Sequence, residues 1–254
     1  MPRATTAAWE LFPPTAVRML AVPLHSRILD SIVRCRGPFD AAIVDLDGTL
    51  VDTLGDFVAA LNAMLAELAL PAVRPDRVAP AIGKGSGFLI RRTLAEVGAD
   101  GDDDALFDAA QAAYRRHYAH VNGRHSTVYP GAAEGLARLA DHGLKLACLT
   151  NKPTAFAEAL LTAKGLRRHF VFVFGGDAFE RQKPDPLPIV RTCAALGSAP
   201  ARTLVIGDSS NDAAAAHAAG CPVVLVTYGY NHGRPVCEVD ADGYVDRLDA
   251  LRLG

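Results

Sequence analysis

The sequence predicts an α/β protein, in which a doubly wound parallel sheet forms a Rossmann-like core and an all-helical segment is inserted. Three observations support this fold class. Short, almost continuous apolar runs alternate with alanine-rich segments of helical periodicity, polar residues follow the runs directly, and one connection between runs is unusually long. Continuous apolar runs are typical of parallel strands covered on both faces, and strand–helix alternation is typical of doubly wound sheets.

The apolar runs predict five strands, and the alanine-rich segments predict the helices that cover them. The predicted strands are residues 41–44, 144–149, 170–174, 203–206 and 222–226, and the predicted helices are 132–142, 154–164, 186–196 and 212–219. Because all the strands are expected to be parallel, their carboxyl ends should meet at one edge of the sheet.

The connection between the first and second strands predicts an inserted cap. It spans roughly a hundred residues, whereas a parallel crossover needs about a dozen. Apolar residues recur with helical spacing in 54–68, 87–98 and 105–121, and no convincing strand interrupts them. We therefore expect a helical cap at 53–128 and a core formed by 39–52 and 129–254. Pro130-Gly131, where the chain re-enters the core, is either a hinge or a turn before a helix.

The charge and composition of the chain argue against nucleic-acid-binding, membrane and secreted proteins. A formal net charge of −2 gives no reason to expect binding to nucleic acid or an acidic membrane surface. No apolar run approaches the ~20 residues needed to span a bilayer, and no clean secretory signal is visible. The five cysteines are scattered and fit a reducing compartment. We expect a cytoplasmic protein, monomeric or homodimeric, with no nucleic-acid or membrane partner.

Residues 1–38 have a different amino-acid composition from the rest of the chain. They are rich in arginine and carry an apolar stripe that starts at Val17. This extension is either a packed accessory helix or the result of a chain start placed too early, with Met19 as the alternative.

Two aspartates follow the first predicted strand directly. Side chains two positions apart on a strand point to the same side, with Cα atoms ~6.6 Å apart at ~3.3 Å per residue. Asp45 and Asp47 can therefore address one small substrate. Adjacent acids do not ionise equally easily, which allows an anionic nucleophile beside a proton donor. Alone, the pair could also be only a turn that leaves a strand.

Further polar residues follow the other strands. Thr150 follows the second strand, Lys183 follows the third, and Asp208 and Asp212 follow the fourth. Open α/β sheets bind ligands outside the carboxyl ends of their strands. Each residue has a plain structural interpretation, such as a helix cap or a solvated cation, but together they predict a shared site.

Segments 45–53, 149–152, 183–184 and 207–212 resemble the four motifs of haloacid-dehalogenase-type phosphohydrolases. The resemblance implies Asp45 as nucleophile, Asp47 as general acid and base, Thr150 and Lys183 as ligands of the phosphoryl group, Mg²⁺ bound by Asp45, Asp208 and the main-chain carbonyl of Asp47, and Asp212 as support. Such a centre would work mainly by stabilising charge. The dehalogenase branch lacks an acid at the position of Asp47, which disfavours dehalogenation.

The cap contains a possible specificity loop. The backbone amides around Gly83 and the Lys84 ammonium could bind a substrate carboxylate at a helix N-terminus, or the segment could be a glycine-rich linker. This loop, 129–131, 149–153 with Asn151 as a further substrate ligand, and 228–231 resemble bacterial phosphoglycolate phosphatases. That resemblance implies Mg²⁺-dependent hydrolysis of a small phosphorylated metabolite, 2-phosphoglycolate, to glycolate and phosphate.

Other functions remain open at this point. A phosphatase or phosphotransferase could act on a sugar phosphate, a nucleotide or pyrophosphate. A phosphonate hydrolase of this group would need a Schiff-base lysine in its cap, and Lys84 is the only lysine there. A catalytically silent binding module is the non-enzyme alternative.

Overall fold

The computed structural model describes residues 39–253, so the predicted extension 1–38 lies outside the described residues. The strands are β1 (Ala41–Val44), β2 (Val51–Asp52), β3 (Thr127–Val128), β4 (Lys145–Leu149), β5 (Phe172–Phe174), β6 (Thr203–Gly207), β7 (Val223–Val226) and β8 (Gly243–Val245). The α-helices are α1 (Leu54–Glu67), α2 (Pro75–Val78), α3 (Ser86–Glu96), α4 (Asp104–Val121), α5 (Ala132–Asp141), α6 (Thr154–Ala163), α7 (Leu187–Leu196) and α8 (Ser210–Ala219).

Six of these strands form one parallel sheet in the order β5-β4-β1-β6-β7-β8. β1 lies between β4 and β6, with Ala41 opposite both Lys145 and Thr203. The chain builds outward from β1 through β4 to β5 and then returns to the other side of β1. Strand order therefore reverses beside β1, which is where open sheets bind ligands.

Side chains of β1 alternate between two buried layers. Ala42 and Val44 pack into one hydrophobic cluster with Leu136 of α5 and Leu160 of α6. Ala41 and Ile43 point to the opposite face and pack in a second cluster, whose other members include Ile189 of α7 and Ala216 of α8. Both faces of the strand are thus covered, which explains its continuous apolar sequence. The predicted doubly wound α/β fold is confirmed.

The five predicted strands all belong to the sheet, but the sequence interpretation missed three strands. β8 contains a glycine and lies between Asp242 and Asp246, so its apolar signal is short. β2 and β3 form a two-residue antiparallel pair, Val51 opposite Val128 and Asp52 opposite Thr127, on either side of the insertion. A pair this short has no detectable period.

The inserted helices have a hydrophobic cluster of their own. α1 packs on α4, where the rings of Phe57 and Tyr118 stack with centroids 5.4 Å apart. Asp103 caps α4, because its side chain accepts hydrogen bonds from the Ala105 and Leu106 amides. The acidic run before this helix therefore supplies its N-cap. The exact division into core and cap stays a prediction.

Within residues 39–253, none of the helices combines the length and the apolar character needed to cross a lipid bilayer.

Candidate active site

The two predicted acids lie at the carboxyl end of β1 and are almost fully buried. Asp45 and Asp47 retain 7% and 6% of their accessible surface. The Asp45 amide still bonds to the Ile206 carbonyl of β6 (2.9 Å). Gly48 then turns the chain with φ of +89°, and a Cβ atom there would lie 2.2 Å from Asp208 Oδ2. Glycine therefore allows this turn to approach the loop after β6.

Lys183 joins two strand ends through its buried ammonium group. Its Nζ donates to Asp45 Oδ1 (2.9 Å), Asp212 Oδ1 (2.6 Å) and the Leu149 carbonyl (2.8 Å). All three ammonium hydrogens thus have acceptors. Burial alone would lower the pKa of Lys183, but Asp212 and Asp45 together raise it above its ordinary value. Lys183 is therefore a fixed positive charge that orients Asp45.

Asp212 is a positioning residue at the start of α8. It forms a capping box with Ser209, whose hydroxyl donates to Asp212 Oδ2 (2.7 Å). Since Oδ1 accepts from Lys183, both carboxylate oxygens are engaged. Asp208 has fewer close hydrogen-bond partners than Asp212. Its Oδ2 accepts from the Tyr230 amide (2.7 Å), while Oδ1 has only a long contact of 3.5 Å with the Thr49 hydroxyl.

The carboxylates at these strand ends fit a hard divalent cation. Asp45, Asp208 and Asp212 each offer an oxygen, and these atoms lie within 4.8 Å of one another. Burial raises the pKa of Asp45 to about 7, with Lys183 opposing that rise. Burial, followed by the charges of Asp212 and Asp45, raises the pKa of Asp208 well above its usual range. Mg²⁺ prefers such oxygen ligands. Because the Asp212 oxygens are engaged, Asp45 and Asp208 are the better-suited side-chain ligands.

Asp208→Asn is expected to stabilise the metal-free protein while removing its response to Mg²⁺. An asparagine oxygen can still accept from the Tyr230 amide, but it carries no buried negative charge. We expect a gain of about 1–2 kcal/mol in the free energy of unfolding at neutral pH. The gain should shrink toward low pH, because folding raises the pKa of Asp208 and the folded wild type takes up a proton there.

Thermal unfolding with EDTA or excess Mg²⁺ checks this prediction, since a ligand that binds only the folded state raises its stability. Asp141→Asn, at an exposed position, is the matched control. Equal stabilisation of wild type and Asp208→Asn by Mg²⁺ would show that Asp208 is not a metal ligand.

Thr150 follows β4 and faces the cavity above the acids. It is 2% exposed, and its hydroxyl accepts from the Lys152 amide (3.2 Å). No acceptor for the hydroxyl hydrogen is seen within residues 39–253. That hydrogen is therefore available to a ligand in the cavity, and the role of Thr150 as a ligand of the phosphoryl group stays a prediction.

Asn151 and Gly83 connect the cap loop to the core. Asn151 Nδ2 donates to the carbonyls of Gly83 (2.9 Å) and Lys183 (2.8 Å), and Asn211 Nδ2 also donates to the Gly83 carbonyl (3.1 Å). Both residues line the cavity. Both amide hydrogens of Asn151 thus hold the loops together, and its role as a substrate ligand stays a prediction.

Lys84 is not brought to the cavity, although its neighbours Gly83 and Gly85 line it. The side chain is exposed, and its Nζ lies 5.1 Å from the centroid of the Phe88 ring. A lysine in a glycine-rich turn is free to extend into water, where its charge is best solvated. The role of Lys84 in binding substrate stays a prediction, and in this conformation its ammonium lies over the Phe88 ring.

Lys152 is the site residue that sequence reasoning missed. Its side chain is 2% exposed, and Nζ donates to Asp47 Oδ1 (2.6 Å). The same atom lies 4.4 Å from the Phe57 ring centroid and 5.0 Å from that of Tyr118. Lysine is rarely buried, and the motif comparison gave Lys152 no role. The available signal was its place only two residues after Thr150 at a strand end.

The cavity between these residues and the inserted helices is small. Its free volume for a water-sized sphere is about 30 Å³, room for roughly two water molecules. Its floor is formed by the polar strand ends. Its roof is largely apolar and aromatic and consists of Phe57, Ile82, Leu89, Tyr114, Tyr118 and Phe156.

Comparisons with known proteins agree with this geometry. The family model of haloacid dehalogenase-like hydrolases matches residues 42–226. A phosphoglycolate phosphatase from Thiobacillus denitrificans is 44% identical over 217 residues, which cover 85% of this chain and 95% of the relative. A plasmid-borne phosphoglycolate phosphatase from Cupriavidus necator is 44% identical over 84% of this chain and 92% of its own.

Solved structures show the same fold. A predicted phosphoglycolate phosphatase from Haemophilus somnus superposes with a TM-score of 0.79 at 33% identity, covering 83% of this chain and 95% of the other. CbbY from Rhodobacter sphaeroides, solved in complex with phosphate, has a TM-score of 0.70 at 24% identity and covers 83% of this chain and 95% of its own. At that identity the second likeness concerns the fold alone.

Proposed function

The chain belongs to the haloacid dehalogenase-like hydrolases, and we propose that it hydrolyses 2-phosphoglycolate to glycolate and phosphate through a phosphoryl group carried on Asp45. The observation that carries the proposed reaction is the buried contact of Lys183 with Asp45 and Asp212, with Asp208 alongside. The choice of substrate is supported by relatives named phosphoglycolate phosphatase at 44% identity.

The first proposed step is attack of Asp45 on phosphorus. Lys183 occupies Asp45 Oδ1 and so leaves Oδ2 to form the new bond. Mg²⁺, held by Asp45, Asp208 and the main-chain carbonyl of Asp47, would supply the positive charge that offsets repulsion between the carboxylate and the phosphate. The Lys183 ammonium adds fixed positive charge near the oxygens that gain charge in the transition state, and the Thr150 hydroxyl adds a hydrogen-bond donor.

Asp47 is proposed to move the protons. Its Oδ1 accepts from Lys152, and no partner of Oδ2 is seen in the described part of the chain. Oδ2 can therefore give a proton to the departing glycolate oxygen and afterwards take one from the water that attacks the phosphoryl group on Asp45. The buried site excludes bulk water during the first transfer.

The cavity volume does not discriminate among phosphate esters. A free volume of about 30 Å³ is smaller than 2-phosphoglycolate itself, so this conformation favours none of the candidate leaving groups. The choice of substrate therefore depends on the relatives. We further propose that the protein is cytoplasmic and is a monomer or a homodimer.

Phosphate release from a panel of small phosphate esters, with and without Mg²⁺, tests the proposal. We expect the highest kcat/KM for 2-phosphoglycolate and loss of turnover with EDTA. The panel includes a sugar phosphate, a nucleoside monophosphate and pyrophosphate. Equal turnover of these compounds would reduce the function to a general small-ester phosphatase. Isomerised sugar phosphate without free phosphate would indicate a phosphotransferase, and turnover of none would favour a binding module.

A further inference from the structure

We propose that Lys152 and Tyr118 together bind the carboxylate of the substrate. This inference rests on the proposed function and deepens it, because it assigns the part of the substrate that does not react. Lys152 follows β4 in the core, and Tyr118 lies on α4 among the inserted helices. The expected specificity site is thus shared between the two parts and does not use Lys84.

Lys152 has unused donor capacity inside the cavity. An ammonium group has three hydrogens, and within residues 39–253 Nζ makes one hydrogen bond, to Asp47 Oδ1. The remaining close neighbours are the faces of Phe57 and Tyr118, which attract a cation but accept no conventional hydrogen bond. A buried lysine with two spare donors on a cavity wall is suited to an anionic ligand.

Tyr118 supplies a second, independent indication. The residue lines the cavity and is 1% exposed, yet its hydroxyl finds no hydrogen-bond partner among the described residues. Leaving such a buried hydroxyl unpaired is unfavourable, so a ligand that accepts its hydrogen would remove this penalty. Burial, and then the nearby charge of Asp47, raises the pKa of Tyr118. The hydroxyl therefore stays protonated and acts as a donor.

The position of Lys152 matches the geometry of the proposed reaction. Asp47 is assigned to the leaving oxygen, and Lys152 Nζ lies 2.6 Å from the other oxygen of that carboxyl group. In 2-phosphoglycolate the carboxylate carbon is two covalent bonds from the leaving oxygen. A substrate carboxylate bound to Lys152 would therefore lie close to Asp47, and the ammonium would limit the repulsion between the two carboxylates.

The other nearby cations are less suitable. Lysines 152 and 183 are the cations that line the cavity within the described residues, and Lys183 has used all three donors. Lys84 is exposed and contacts Phe88. A carboxylate under the aromatic roof would be costly to bury without a paired cation, which leaves Lys152.

A comparison of two substrates separates carboxylate binding from support of catalysis. Ethyl phosphate replaces the carboxylate of 2-phosphoglycolate by a methyl group and retains the ester. We expect Lys152→Gln, whose amide can still reach Asp47, to lower the ratio of kcat/KM for 2-phosphoglycolate to that for ethyl phosphate by about 10- to 100-fold. Tyr118→Phe, which keeps the stacked ring, should lower the same ratio by about 5- to 10-fold.

Two further variants complete the experiment. Lys145→Met removes an exposed lysine at the amino end of β4, whereas the cavity residues follow the carboxyl end of that strand. Its Nζ bonds to the Leu196 carbonyl, and its loss should leave the ratio unchanged. Lys84→Met tests the competing assignment. An unchanged ratio in both Lys152→Gln and Tyr118→Phe overturns the proposal, even if both rate constants fall, because equal losses show that the residues only support Asp47.

The wild type distinguishes this inference from the proposed function. If wild type does not prefer 2-phosphoglycolate over ethyl phosphate, the proposed substrate and the carboxylate site both fail. If wild type prefers it but the ratio falls only in Lys84→Met, the proposed function stands and the site assigned to Lys152 and Tyr118 is wrong. Far-UV circular dichroism and thermal unfolding establish whether each variant is folded. If Lys152→Gln is not folded, the ratio measured for Tyr118→Phe decides whether the carboxylate site is correct.

Discussion

Asp45→Asn is expected to reduce phosphate release by at least about 10⁴-fold, because removal of an attacking nucleophile costs most of the catalytic rate. An asparagine amide is a poor nucleophile toward phosphorus. The substitution also removes one of the two proposed side-chain ligands of Mg²⁺ and one of the anions that surround Lys183. Single-turnover and steady-state phosphate release with 2-phosphoglycolate are the measurements.

The fold should survive this substitution. The asparagine Oδ1 can still accept from Lys183 Nζ, and burial of a neutral amide at this position avoids the cost that raises the pKa of Asp45 to about 7. Asp141→Asn, the same change at an exposed position, controls for loss of negative charge. Turnover within tenfold of wild type by Asp45→Asn would exclude Asp45 as the nucleophile.

Lys183→Met is expected to damage both stability and turnover. The ammonium is the shared partner of Asp45 and Asp212, so its removal leaves two buried carboxylates without a cation. Breaking a buried ion pair by removing one partner costs about 3–5 kcal/mol. Turnover should fall by at least about 10³-fold, because charge stabilisation of the transferred phosphoryl group is also lost.

The stability loss of Lys183→Met should depend on pH. In wild type, burial already raises the pKa of Asp45 to about 7, against attraction by Lys183. Without that attraction the folded-state pKa of Asp45 rises further, so the folded variant binds more protons than its unfolded chain. Its stability must then fall as pH rises from about 5 to 8.

Urea unfolding at several pH values, in EDTA, measures the effect. The deficit relative to wild type should be smallest near pH 5. Lys145→Met, which removes an exposed lysine, should show no comparable dependence. A deficit that grows toward low pH would mean that Lys183 does not stabilise these carboxylates.

The sequence predicted the sheet well because its strands carry strong local signals. β1, β4, β6 and β7 are runs of apolar residues buried on both faces, and all were found within about one residue of their observed bounds. β8 was missed because an edge strand needs little apolar sequence. Its order beside β7 depends on pairing between distant segments, which no local pattern contains.

The candidate site was predictable to the extent that its residues directly follow strands. The proximity of Asp45, Lys183 and Asp208 could be predicted, because parallel strands end at one edge of the sheet. Residues approached by the inserted helices were less accessible to this reasoning. Lys84 was predicted to bind substrate but is exposed, whereas Lys152 was given no role but lies against the rings of Phe57 and Tyr118.

The sequence alone determined the doubly wound core, the inserted helices and the acids that are proposed to perform the reaction, because apolar periodicity and strand-end position are local properties of the chain. The tertiary structure decided the partners of those acids. Lys152 contacts Asp47 across 105 residues, and Lys183 contacts Asp45 across 138. Burial and pairing of charges depend on how the helices close over the sheet, and so only the folded chain shows which lysine faces the cavity.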